Sequence, residues 1–261
     1  MTLDIPDKMF GKDMKEAHKQ YLENSKKIKQ TTPQPEIQNE IKVSANINLA
    51  DYVRMPNSNI LISKEQMFNN LDFKDSHFKL AENNLYMPSP AEFMPYYLNV
   101  IQAKQGKQII YDGNNKPLDP TEIDSLYQRL SKNCWVWLNA GFKKDQKDNF
   151  SLINYSVKNN SLIETPKSLE KCLMKDGFAD LDFNKQGLAI KPSKINEYKK
   201  NKNIYFSHPR DNSVAWFNAV SGGSTLVAMG ILLSRIPRSG YMDAPKARKC
   251  KIQLLQTWKV Y

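Results

Sequence analysis

The most telling alternation in the chain runs through "SVAWFNAVSGGSTLVAMGILLSR", Ser213 to Arg235. Ala215, Phe217, Ala219 and Ser221 form a small or apolar set, while Trp216, Asn218, Val220 and Gly222 between them share no chemistry. A period of two marks a strand with two distinct faces. After Gly222-Gly223 the alternation resumes out of phase: Ser224, Leu226 and Ala228 keep the regular face, and Thr225, Val227 and Met229 take the irregular one. A β-bulge or a tight turn at the glycines accounts for the slip. An exposed, variable face would look like this, and so would a central strand buried on both sides.

Other patterns predict the remaining elements. Lys12 to Lys29 places Met14, Ala17, His18, Tyr21, Leu22 and Ile28 near one helical face, before "QTTPQPEIQ" breaks it. "SKEQ" at Ser63–Gln66 and "SPAE" at Ser89–Glu92 read as capping boxes, the second with Pro90 at the first helical position and Pro95 set to kink or shorten its helix. "DPTE" at Asp119–Glu122 opens a helix with Ile123, Leu126, Tyr127 and Leu130 on its apolar face. "CWVWLNAGF" reads as a strand with Trp135 and Trp137 on one side, and "NIYFSHP" as another. Thr165-Pro166 predicts a short helix through Met174, closed near Gly177. Few helices, several strands and long irregular connections make the class α+β. Residues 1–50 read as a polar arm or helix, and 51–261 as the folded domain.

Composition is globular, with 40% hydrophobic and 10% aromatic residues. The net charge of +11 lies wholly in residues 185–261, which hold 14 Lys/Arg against 3 acids, whereas residues 1–184 hold 24 of each. Such a region suits solvated lysines or an anionic partner. No apolar run is long enough to span a membrane, and the N-terminus shows no secretory pattern.

Several chemistries find no support. There is no phosphate-binding or dinucleotide loop, no zinc-protease motif and no nucleophile elbow. Gly222-Gly223-Ser224 lacks the lysine and the following helix that a phosphate loop needs. Cys134, Cys172 and Cys250 read as separate thiols, and His18, His77 and His208 lie far apart. His208 reads as a strand-end residue bonded to backbone. Asp180, Asp182 and Asn184 begin like a calcium loop but lack its later glycine and glutamate, so they read as a surface turn. No metal or cofactor is expected.

Four segments carry a resemblance: "MPSPAEFMPYY" (Met87–Tyr97), "CWVWLNAGF" (Cys134–Phe142), "NKQGL" (Asn184–Leu188) and "NIYFSHPRDNSVAWFNAVSGGSTL" (Asn203–Leu226). Together, over roughly residues 60 to 245, they resemble the variable proteins of archaeal diversity-generating retroelements. Val214, Ala215, Phe217, Ala219, Ser221 and Leu226 match that family's fixed positions, while Ala228 and Leu232 depart from its usual Cys and Pro. The resemblance implies a C-type-lectin-like fold and a region of about 213–242 rewritten by adenine-directed mutagenesis. It also implies a non-enzymatic, receptor-type binding function displayed at the cell surface or outside the cell. The ligand-contacting positions it implies are Trp216, Asn218, Val220, Gly222, Gly223, Thr225, Val227, Met229, Gly230, Ile231 and Leu233. Trp216 and the apolar members would anchor a protein or glycan on another cell or virus, with Asn218 and Thr225 as hydrogen-bonding contacts. The alternatives are a nucleic-acid-binding protein using the basic region and its aromatics, and an enzyme of the formylglycine-generating type, for which no suitable cysteine pair stands out.

Overall fold

The computed structural model describes residues 8–9, 12–13, 48–56, 58–66, 68, 71–220, 223–229 and 257–259, some of the strand residues by backbone alone. The chain divides into two compact units, residues 1–40 and 41–261. In the first, Lys8–Met9 (β1) and Lys12–Asp13 (β2) pair antiparallel. The helix expected from Lys12 otherwise lies outside the described residues.

The second unit is α+β. Tyr52–Arg54 (β3) and Ile60–Ser63 (β4) pair antiparallel, and Thr257–Lys259 (β12) adds to the other side of β4. Three helices come after β4: Phe73–Glu82 (α1), Pro90–Lys104 (α2) and Pro120–Lys132 (α3). The remaining strands are Asn133–Lys144 (β5), Phe150–Lys158 (β6), Ser161–Ser168 (β7), Gly177–Asp180 (β8), Asn203–Ser207 (β9), Ser213–Val220 (β10) and Gly223–Met229 (β11). They form a seven-stranded sheet in the order β7-β6-β5-β10-β11-β9-β8. All neighbours are antiparallel except β11 and β9.

The helix starts are explained by their caps. The Ser89 N–H and hydroxyl both donate to Glu92 Oε2, at 2.7 and 2.8 Å, ahead of Pro90. Asp119 Oδ1 accepts the N–H groups of Thr121 and Glu122, each at 2.8 Å. Pro95 does not shorten α2, which runs on to Lys104. Two other expected helices are replaced. At Ser63 the hydroxyl accepts from Glu65 N at 3.1 Å and closes a local turn; α1 begins later, where Asp72 accepts from Asp75 N at 2.7 Å. Thr165-Pro166 lies in β7, whose residues pair throughout with β6; a proline is tolerated there because β7 is an edge strand.

Helices α2 and α3 pack on one face of the sheet around the main core. There Ala215, Phe217, Ala219 and Leu226 are each at most 2% exposed, and the Phe217 ring lies 4.9 Å from Phe93 and 5.1 Å from Tyr97. A second cluster fills part of the opposite face, where Phe73 and Leu80 of α1 meet Trp137, Ile153, Tyr155, Val214 and Trp216.

Asn139 joins β5 to β6 where β5 is irregular. The β5–β10 register shifts between Val214 and Trp216, opposite this stretch of β5, and on the other side of β5 the Asn139 amide continues the link to β6 past the Gly141–Ile153 pair. Its Nδ2 donates to Tyr155 O at 2.9 Å, and its Oδ1 accepts from Tyr155 N at 2.8 Å. The "NKQGL" turn docks on the start of α2: at Gly187, with φ +78°, an added Cβ would come within 2.2 Å of the Pro90 carbonyl.

Candidate binding face

The phase slip at the glycines is a hairpin. Val220 pairs with Gly223, Asn218 with Thr225, Trp216 with Val227 and Val214 with Met229. In an antiparallel pair, directly opposed residues share a face. The irregular positions Trp216, Asn218, Val220, Gly223, Thr225, Val227 and Met229 therefore fall on one face of the hairpin, and Ala215, Phe217, Ala219, Ser224 and Leu226 on the other. Gly222, Gly230, Ile231 and Leu233 lie outside the described residues.

The hairpin sits in the middle of the sheet, so its irregular face continues onto both neighbours. Asn218 is opposite Trp135 of β5, Thr225 is beside Tyr205 of β9, and Tyr205 is opposite Phe178 of β8. One row thus crosses five strands: Trp135, Asn218, Thr225, Tyr205, Phe178. Tyr205 is 38% exposed, and the other four are half-buried. The rings of Phe178 and Tyr205 meet edge to face at 5.5 Å.

The next row belongs to the interior at one end. Trp216, expected as an exposed anchor, is only 9% exposed. Its ring lies edge-on to Trp135 at 4.6 Å and stacks on Trp137 at 5.8 Å. The bulky residue that reads as variable is thus part of an aromatic cluster roofed by α1. This face is covered at Trp216, half-buried at Asn218 and Thr225 and most open at Tyr205.

At the rim of this face Asp176 gathers four donors: Ser207 Oγ at 3.2 Å, His208 N at 3.0 Å, His208 Nδ1 at 2.6 Å and Arg210 Nη2 at 2.7 Å. Burial opposes its charge, but the bonds from the His208 backbone and ring, together with Arg210, hold the carboxyl below its ordinary range. His208, expected to bond to backbone, meets a carboxylate instead. A strand end juxtaposed with the start of a distant neighbouring strand brings the two together, which no local pattern encodes.

Burial pushes the Cys134 thiol up to about 12 and that of Cys172 up to about 11, so both rest as protonated thiols. Among the described residues no group of three or more His, Cys, Asp or Glu is placed to hold a metal ion, and no helix is long and apolar enough to cross a membrane. An open hollow of about 730 Å³ lies elsewhere, lined in part by Asp145, Phe150, Lys167, Glu170 and Cys172, and it includes none of the row residues.

Sequence reasoning grouped Trp135 with Trp137 but left Tyr205 and Phe178 out of the site. The exposed alternate positions of "NIYFSHP" were the available signal, and only strand register joins them to the hairpin. No family model, characterised protein or solved structure matches the chain.

Proposed function

We propose that this chain is a non-enzymatic, receptor-type binding protein of the kind diversified by retroelements, with a C-type-lectin-like domain displaying a hypervariable hairpin face outside the cell. The observation that carries the reading is the pairing within β10–β11. It sets Ala215, Phe217, Ala219 and Leu226, which match the family's fixed pattern and pack in the main core, on the face opposite Asn218 and Thr225, although Val214, which also matches a fixed position, shares the second face and packs there in the smaller cluster. Core substitutions cost several kcal/mol each, so free variation needs such a separation. Two helices on one face of a largely antiparallel sheet and a third on the other, with long irregular connections after them, support the lectin-like reading of the fold.

The nucleic-acid reading has less to stand on. Of the lysines in residues 185–202, Lys191 pairs with Asp180, Lys199 with Glu197, and Lys200 lies over the Tyr127 ring.

Sequencing the DNA beside the gene tests the proposal. A reverse-transcriptase gene and a near-copy of the codons for residues 214–242 are expected, with mismatches confined to adenines. Absence of the copy, or mismatches that ignore adenine, would sink it.

A further inference from the structure

The five-strand row draws on two sources. Asn218 and Thr225 lie inside the stretch proposed as diversified, while Trp135, Tyr205 and Phe178 lie on strands outside it and stay constant. No member of the row is charged. Two carboxylates beside it on the β8 side are paired within the chain, Asp180 with Lys191 at 3.1 Å and Asp176 with Arg210 at 2.7 Å. A charged ligand would lose its hydration here and meet no opposite charge in the row, whereas an uncharged one avoids that cost.

We infer that this face takes a neutral oligosaccharide, with Trp135 and Tyr205 as constant stacking surfaces and Asn218 and Thr225 as the exchangeable hydrogen-bonding pair between them. The inference rests on the diversified-face reading and names its ligand class. A sugar ring carries C–H bonds on its faces and hydroxyls around its edge, so it is met by aromatic surface next to uncharged donors and acceptors. Asn218 supplies an amide with both roles, and Thr225 a hydroxyl with both. Trp135 and Tyr205 are three strand spacings apart, about 14 Å, a span that suits several linked rings rather than one. Tyr205 is the more accessible of the two stacking surfaces, since the Trp135 ring also packs against Trp216.

The test uses the full chain, a printed array of neutral and acidic glycans, and titrations with malto-, cello- and chito-oligosaccharides of increasing length, read by tryptophan emission. Binding of neutral chains but not of single sugars is expected. Tyr205→Ala should weaken it by about tenfold or more with Tm unchanged. Asn218→Asp or Thr225→Val should alter which sugar is preferred. Trp135→Phe, which keeps an aromatic ring, guards against loss through misfolding and should retain part of the affinity. A blank array, binding restricted to acidic glycans, or neutral binding that Tyr205→Ala leaves intact overturns the inference. A blank array beside an adenine-confined template copy removes the sugar and leaves the diversified face standing; a missing copy removes the face itself.

Discussion

The Trp216 indole stacks on that of Trp137, with centroids 5.8 Å apart and planes at 21°. This contact ties a position proposed as variable into the interior. Replacing Trp216 by Ala should cost about 3–5 kcal/mol, as for other buried aromatics. Asn218→Ala, one alternation away and half-buried, should change stability by less than about 1 kcal/mol. Urea unfolding of the two variants measures the contrast. Equal losses would show that the hairpin face has no tolerant positions.

Gly187→Ala is expected to destabilise by about 2–4 kcal/mol, because it adds left-handed backbone strain to a collision with a carbonyl. Gly106 offers the comparison: its φ is +69°, but nothing lies within 4 Å of an added Cβ. Gly106→Ala should therefore cost only the strain, about 1–2 kcal/mol. The difference in Tm between the two variants isolates the contact with Pro90.

His77 sits between Phe73 and Tyr155 with its Nε2 lacking a hydrogen-bond partner, and burial pushes its pKa from 6.5 down to about 4. The unfolded chain binds the proton more readily, so the stability from a neutral His77 is complete above pH 6.5 and falls as the pH drops towards 4. The loss across that window is on the order of 3 kcal/mol. His77→Leu should flatten the pH dependence of the urea midpoint between pH 7 and pH 4.5. An unchanged slope would place the acid sensitivity elsewhere.

Asn139→Ala should cost about 2–4 kcal/mol, since it strips the Tyr155 N–H and C=O of their partners in a buried site. Faster amide exchange at Tyr155 is the specific readout.

Local chemistry made α2 and α3 legible. Ser89 with Glu92, and Asp119 with Glu122, satisfy helix-end donors within a few residues, so the pattern and the structure coincide. The same residue type misleads at Ser63, where the hydroxyl is satisfied two residues on and no helix is required. Thr165-Pro166 reads as a helix start, yet the ladder to β6 along all of β7 outweighs that preference. The two faces of β10 and β11 were readable from alternation alone. What covers each face was not, because Trp216 is buried against Trp135 and Trp137 of a distant strand, and the row through Tyr205 and Phe178 depends on pairing between distant segments.

The β10–β11 hairpin is held on both sides, by β5 and by β9, while β7 and β8 are the outermost strands of the sheet. A strand whose backbone groups are already taken on either side cannot zip onto a neighbouring molecule, whatever side chains it carries. A substitution at Asn218 or Thr225 therefore stays clear of the aggregation hazard that attends new sequence on a bare sheet margin, since the backbone on both sides of the hairpin is already engaged.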